Sequence, residues 1–180
     1  MARMEVVPLE TLTDPSFTED LSKLSTSDIR TRRDRCSEAE VGVSYARRMV
    51  HGRLDILHAE LRRRRGDAGS EVVPLVEQLS TILADNVHAP GNGRLPQIMA
   101  PGESDLDATR EVDAVAPLAT MGQLEGLPSE ALDAMEHDLV ELERRISTRR
   151  HQLHQVFDKL QEEIIRRYRS GEADVNDLLR

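Results

Sequence analysis

The stretch SEALDAMEHDLVELERRISTRRHQLHQVFDKLQEEIIRRYR, residues 129–169, contains neither proline nor glycine. It follows Pro128 and stops shortly before Gly171, which are ordinary start and stop signals of a helix. Apolar residues recur in it at every seventh position, at Leu132, Leu139, Ile146, Leu153 and Leu160. This spacing is that of the d positions of a heptad, and it predicts a coiled-coil helix about 60 Å long.

An earlier stretch, residues 26–65, has the same pattern and also lacks proline. Its d positions are Ile29, Cys36, Val43, Val50 and Leu57. The a positions in the middle of both stretches are charged: Glu40 and Arg47 in the first, Glu143 and Arg150 in the second. We call the stripe of d residues on each helix its seam. Two long helices with matching seams predict an all-α fold, in which they form an antiparallel coiled-coil hairpin.

The rest of the chain is divided around these helices. Residues 1–25 are expected to be an N-terminal extended segment, residues 66–128 an acidic linker, and residues 170–180 a C-terminal tail. The linker is far longer than a helix–helix turn needs, and it carries ten Asp or Glu against two Arg. Within it, residues 74–85 (PLVEQLSTILAD) predict a short amphipathic helix. The remainder of the linker is expected to be loop.

Composition narrows the classes of function. The 180 residues include two Phe, two Tyr and no Trp, which disfavours sandwiches, barrels and cofactor pockets lined by aromatic rings. The formal net charge of −9 would argue against an anionic partner. Most of that charge lies in the linker, however, and residues 27–65 carry eleven Arg against six Asp or Glu. The first helix is therefore compatible with an anionic ligand.

The sequence lacks the usual signals of several classes of protein. There is no apolar run of membrane-spanning length and no apolar signal-peptide core at the start, so we expect a cytoplasmic protein without membrane contact. One cysteine, Cys36, cannot form an internal disulfide. Since no glycine-rich phosphate loop, nucleophile–base series or DNA-binding motif is present, we expect neither an enzyme nor direct binding to DNA.

The sequence repeats itself at an offset of 103 residues. Over the 42 residue pairs from 24/127 to 65/168 there are 11 identities. Five of them form the motif E-x3-S-x2-R-x3-H-x3-D in each helix: Glu40, Ser44, Arg47, His51 and Asp55, then Glu143, Ser147, Arg150, His154 and Asp158. At 100° per residue, each set falls within an arc of about 80° beside the d seam. In an antiparallel hairpin the two sets would face each other about a pseudo-twofold axis.

Charged side chains on a packing face cost several kcal/mol unless they meet partners. A twofold-symmetric ligand would supply such partners: Arg suits phosphates or the O6/N7 edge of guanine, and Asp or Glu can accept from guanine N1–H and N2–H2. Two alternatives remain open. The charges could pair across the helices in an imperfect seam of a constitutive adaptor, or the His and Asp side chains could hold a metal, which the nearby Arg pair opposes.

The motif resembles E-x3-S-x2-R-x3-Q-x3-D, which the RsiG-type anti-sigma factors of actinobacteria carry once on each helix of an antiparallel coiled coil. This resemblance implies that two intercalated molecules of cyclic di-GMP bind between the helices, without a metal, and contact the ten motif residues. Arg47 and Arg150 would contact guanine or phosphate, and Asp55 and Asp158 would contact guanine edges.

The resemblance also implies a partner. The loaded protein, as a monomeric hairpin in a 1:1 complex, would sequester a sporulation sigma factor of the flagellar type, WhiG. The chain departs from the family pattern at His51 and His154, where that pattern has Gln. Since histidine titrates near neutral pH, this departure predicts a pH-dependent affinity for the nucleotide.

Overall fold

The computed structural model describes residues 8–66 and 106–173, which consist of helices and short connections and contain no strand. Three 3-10 turns, at Pro15–Thr18, Leu21–Lys23 and Leu124–Gly126, join the helices. The helices are α1 (Leu9–Thr13), α2 (Thr26–Arg65), α3 (Leu106–Val115), α4 (Leu118–Met121) and α5 (Ser129–Ser170). The predicted all-α fold with two long helices is confirmed.

Local chemistry explains where α2 begins and ends. Ser25 Oγ accepts a hydrogen bond from the Asp28 amide at 3.1 Å, and the Asp28 carboxylate accepts one from the Ser25 amide at 3.3 Å. This reciprocal pair is a capping box, which satisfies amides that the first helical turn leaves unbonded. At the other end Gly66 adopts φ 72°, a left-handed conformation that stops a helix and that glycine accepts without steric cost.

The predicted seam is the core of the protein. All ten d positions are buried, and none of their side chains is more than 7% exposed. Two apolar a positions near the helix C-termini, Leu61 and Ile164, are buried with them. Since burying a side chain of this size contributes about 1.5–3 kcal/mol, the seam is the main source of stability for the two long helices.

The described residues form two compact units. Unit 1 contains residues 8–44 and 147–173, and unit 2 contains residues 45–66 and 106–146. In unit 1, Arg33 donates to Gln161 and Arg167 donates to Thr26. In unit 2, His58 pairs with Glu136, and Arg64 donates to Ser129. Within each unit, α2 and α5 therefore run antiparallel.

The N-terminal segment of unit 1 differs from the extended chain that we predicted for residues 1–25. Residues 9–23 form α1 and two 3-10 turns. Asp14 starts the first of these turns, because its carboxylate accepts from the Ser16 amide at 2.9 Å while Pro15 fixes the backbone. Leu12 is buried, and the guanidinium of Arg32 lies 5.0 Å above the ring of Phe17. These contacts hold the segment against the long helices.

The linker of unit 2 also contains more structure than predicted. The prediction of loop is wrong for residues 106–126, which form α3, α4 and a 3-10 turn. The apolar side chains of this region follow helical spacing, and Val112 and Ala116 are completely buried. The frequent charges between them concealed that spacing. The predicted helix over residues 74–85 lies outside the described residues, as does residue 174 onward.

Within residues 8–66 and 106–173, no helix is both long enough and apolar enough to cross a membrane.

Candidate functional site

The motif residues of unit 1 form one polar group, which we call cluster 1: Glu40 and Ser44 from α2 with Arg150 and His154 from α5. Glu40 Oε1 accepts from Ser44 Oγ at 2.6 Å and from Arg150 Nε at 3.0 Å. Arg150 Nε also lies 3.0 Å from Ser44 Oγ. One carboxylate oxygen thus ties the two helices together at a charged a position.

His154 completes cluster 1. Its Nε2 atom is buried and lies 3.3 Å from Glu40 Oε1, yet it has no hydrogen bond of acceptable geometry to any described residue. The short separation identifies the carboxylate as the nearest charge partner of the ring. Glu40 is therefore shared by Arg150 and His154 at nearly equal distances.

Unit 2 contains an equivalent group, cluster 2, with the roles of the helices exchanged. Here Glu143 is on α5, while Arg47 and His51 are on α2. Glu143 Oε1 lies 3.1 Å from Arg47 Nε and 3.2 Å from His51 Nε2. The corresponding distances in cluster 1 are 3.0 and 3.3 Å. The sequence repeat is therefore a repeat of side-chain geometry.

The clusters are partly open to solvent. The side chains of Arg47 and Arg150 are each 39% exposed, and those of His51 and His154 are 42% and 40% exposed. The carboxylates of Glu40 and Glu143 lie deeper, at 23% and 26%. A ligand can therefore reach both arginines and both histidines without unfolding of the helix pair.

Cluster 1 keeps its carboxylate charged. Burial alone raises the pKa of Glu40, but hydrogen bonds from Ser44 and Arg150 and the positive charges of Arg150 and His154 outweigh it, so the pKa lies below its ordinary value. At neutral pH, Glu40 is consequently an acceptor of hydrogen bonds and cannot donate one. An acceptor at this position matches N–H groups on a ligand.

Three motif residues lie on the same stripes but outside the hydrogen bonds described above. Asp55 and Ser147 are half-buried, and Asp158 is exposed. The structure thus brings at least seven of the ten predicted residues into two clusters. The ligand-binding roles of all ten residues remain predictions.

Metal binding and nucleophilic catalysis by Cys36 are two other chemistries that side chains of this region could support. Among the described residues, no group of three or more His, Cys, Asp and Glu side chains is arranged to hold a metal ion. Cys36 is buried in the seam, and burial raises the pKa of its thiol to about 11. The thiol is therefore neutral at physiological pH, whereas a nucleophilic cysteine must be a thiolate.

Three further residue pairs of the repeat form contacts that the sequence analysis did not predict. The offset of 103 also pairs Glu60, Arg63 and Arg64 with Glu163, Arg166 and Arg167, and all three pairs are identical. Arginines at the C-terminal end of a helix are expected to be solvated, yet Arg64 at the end of α2 donates to the backbone carbonyl of Leu124 at 2.8 Å. The identities in the repeat were the signal that could have revealed this contact.

Comparison of the chain with known protein families agrees with the motif. Residues 15–83 match the model of a family described as RsiG-like. This range contains the first copy of the motif and all of α2, so the resemblance to this family is confirmed for that part of the chain. No curated protein matches the chain.

Proposed function

We propose that this chain, which is RsiG-like over residues 15–83, is an anti-sigma factor controlled by cyclic di-GMP. In the loaded state it binds a sigma factor of the WhiG type, which serves sporulation, and keeps it from core RNA polymerase. The site of action is the cytoplasm, and no catalytic step is involved.

The observation that carries the proposal is the duplication of one polar cluster. Each unit presents a carboxylate, a guanidinium and an imidazole in the same mutual arrangement. A pair of identical ligands, one at each cluster, suits two equivalent sites. Cyclic di-GMP has two guanines and two phosphates related by twofold symmetry, and two clusters support a stoichiometry of two molecules.

The chemistry of each cluster also suits this nucleotide. Arg47 and Arg150 present guanidinium forks, which bind phosphate or the O6/N7 edge of guanine. Glu40, ionised at neutral pH, can accept from the N1–H and N2–H2 groups of guanine, and Glu143 can do so in cluster 2. In the proposed complex, Asp55 and Asp158 also contact guanine edges, and the other motif residues contact the remaining polar atoms: Ser44, Ser147, His51 and His154.

In the structure, each arginine pairs with a glutamate of the opposite helix. These pairs stand where the nucleotide would bind, so the ligand exchanges an Arg–Glu contact for contacts of its own with both side chains. Guanine bases stacked beside the arginines would add apolar surface to a seam with few aromatic residues. Ligand binding then stabilises the ordered helix pair by linkage.

The same Arg–Glu pairs favour a second candidate function, that of a constitutive coiled-coil adaptor. They already satisfy the charged a positions, so the seam is electrostatically complete without a nucleotide. Such an adaptor would capture its partner whether or not cyclic di-GMP is present.

One experiment separates the two functions. A WhiG-type sigma factor is captured on immobilised protein with and without cyclic di-GMP, using wild type and the Arg47→Ala/Arg150→Ala variant. We expect capture by wild type only with the nucleotide, and no capture by the variant. An Arg48→Ala/Arg144→Ala variant, which removes two exposed arginines outside the motif, serves as the charge-matched control for nucleotide binding. Nucleotide-independent capture by wild type and by the Arg47→Ala/Arg150→Ala variant would identify an adaptor.

A further inference from the structure

At the end of α2, a buried glutamate and two arginines form ion pairs, and one of these arginines contacts the chain just before α5. In unit 2, Glu60 is fully buried and accepts from Arg63 Nε at 2.7 Å and from Arg64 Nε at 2.6 Å. Arg64 then reaches across with its two other nitrogens: Nη2 donates to the Leu124 carbonyl at 2.8 Å and Nη1 to Ser129 Oγ at 3.3 Å. We call this contact clamp 2.

Unit 1 contains the equivalent contact, clamp 1, at the end of α5. Arg167 is 5% exposed and donates from Nε to Glu163 at 2.8 Å. Its Nη2 donates to the Leu21 carbonyl at 2.6 Å and its Nη1 to Thr26 Oγ1 at 3.2 Å. Leu21 and Leu124 each belong to the 3-10 turn that precedes a long helix. Both clamps therefore tie the end of one long helix to the start of the other.

Two features indicate that the clamps are more than surface ion pairs. One group of each clamp is buried, Glu60 in clamp 2 and Arg167 in clamp 1, so it has lost hydration that only good geometry can replace. In addition, hydrogen bonds from Arg166 outweigh burial and, together with those from Arg167, lower the pKa of Glu163 to about 2. Each carboxylate thus remains charged and holds its arginine in one orientation.

The seam alone cannot fix the alignment of the helices. Its apolar residues recur every seven positions, so a slip of one heptad would again bring d residues together while moving one helix by about 10 Å. The Arg–Glu pairs of clusters 1 and 2 oppose a slip, but in the proposed complex the nucleotide takes over those arginines. A contact outside the clusters must then preserve the alignment.

We propose that Arg64 and Arg167 are positioning residues that fix the register of α2 against α5 in each unit. Each donates to the backbone carbonyl of one particular residue, which does not recur every seven positions as the d residues do. A slip of one heptad would therefore move the guanidinium about 10 Å from that carbonyl. The arginines and glutamates of the clusters stay opposite one another for this reason, whether or not a ligand is bound. The expected effect of the clamps on nucleotide binding rests on the proposed function, whereas their effect on the register does not.

The test compares two double variants that change the same charge. Arg64→Ala/Arg167→Ala removes both clamps, while Arg63→Ala/Arg166→Ala removes the neighbouring arginines, which bind the same glutamates through bonds of similar length. Spin labels at Ser37→Cys and Arg169→Cys, exposed positions of unit 1, report the register in a Cys36→Ala background. Cyclic di-GMP affinity is measured by calorimetry on the same proteins without labels.

We expect one narrow distance distribution in the parent and in the Arg63→Ala/Arg166→Ala variant. The Arg64→Ala/Arg167→Ala variant should add a population displaced by roughly 10 Å and bind cyclic di-GMP at least about tenfold more weakly, because its clusters are no longer preorganised. If this variant loses its helical circular dichroism, the milder Arg64→Gln/Arg167→Gln variant is measured, with the same expectation.

If the clamp variant that folds shows only the native distance distribution between the spin labels, the register proposal is overturned, whatever the affinity of that variant for cyclic di-GMP. A displaced population together with absent nucleotide binding by wild type would support the clamps and reject the proposed ligand.

Discussion

At the scale of single residues, Glu40 gives a pH-dependent contribution to stability. Glu40→Gln is expected to lower the free energy of unfolding by about 1 kcal/mol at pH 7, because Ser44 and Arg150 lose a charged acceptor that is only partly exposed. The folded-state pKa of Glu40 lies below the ordinary value of 4.5. Its contribution is therefore complete above that value and is lost as the pH falls through the folded-state pKa.

Urea unfolding at pH 7 and pH 3 tests this prediction. The difference between wild type and Glu40→Gln should shrink at pH 3, because this pH lies below the ordinary value of 4.5 that applies to the carboxyl group in the unfolded chain. Glu38→Gln, a change at an exposed neighbour, is the control and should have little effect at either pH. A difference of the same size at both values of pH would contradict the prediction.

The two histidines make a separate prediction about the ligand. His51 faces Glu143 and Arg47, and His154 faces Glu40 and Arg150. Protonation of an imidazole adds positive charge where an anionic nucleotide is proposed to bind, so the affinity should be higher at pH 6 than at pH 8. We expect a gain on the order of three- to tenfold, which corresponds to a free energy of about 1 kcal/mol.

Calorimetry with cyclic di-GMP at pH 6 and pH 8 measures this effect. The His51→Gln/His154→Gln variant keeps neutral side chains that can form hydrogen bonds, so it should bind with the same affinity at both. Equal affinities for wild type would show that the histidines do not sense pH in the complex.

At the scale of the helices, adjacent positions of α5 separate core from surface. Leu139 is completely buried, and the next residue, Val140, is 41% exposed. Leu139→Ala should destabilise the protein by about 2–5 kcal/mol, because it leaves a cavity in the seam. Val140→Ala should change stability by no more than about 0.5 kcal/mol. Thermal and urea unfolding measure both, and similar losses for the two variants would refute the assigned seam.

The docking of α3 depends on one buried arginine. Arg53 is 5% exposed and donates to the Val112 carbonyl at 2.6 Å and to the Asp113 carboxylate. Arg53→Ala removes both bonds, so amide hydrogen exchange over residues 106–115 should speed up at least about tenfold. Arg48→Ala, at an exposed position of the same helix, should leave that exchange unchanged. Unchanged exchange in Arg53→Ala would mean that apolar contacts alone hold α3.

These elements differ in how far the sequence predicts them. Leu139 and its equivalents follow a fixed period, so their burial could be predicted from the heptads alone. Arg53 lies at no repeated position, since Val156 occupies the equivalent place in the other copy. Its partners are a carbonyl and a carboxylate 59 and 60 residues away, and such pairing depends on how the chain returns, which no local pattern encodes.

At the scale of the whole molecule, the duplication extends beyond the long helices. The 3-10 turns at Leu21–Lys23 and Leu124–Gly126 are also 103 residues apart, as are Thr26 and Ser129, which accept from Arg167 and Arg64. The last part of the predicted linker is therefore the second copy of the N-terminal segment. Few residues before position 24 are identical to the residue 103 positions later, so the sequence could not reveal this equivalence. The matching contacts of clamps 1 and 2 reveal it.

Two equivalent clusters on continuous helices predict that the ligand stabilises the protein as a whole. At a cyclic di-GMP concentration one hundred times the Kd, linkage adds about 2.7 kcal/mol to the free energy of unfolding for each independent site. We therefore expect a higher Tm, and slower hydrogen exchange over residues 40–55, where the motif residues of α2 lie. The Arg47→Ala/Arg150→Ala variant should show neither change, while Arg48→Ala/Arg144→Ala should behave as wild type. If exchange over residues 40–55 is the same with and without the nucleotide, cyclic di-GMP is not the ligand of these clusters, because a ligand held by Arg47 must slow the opening of the helix that carries it.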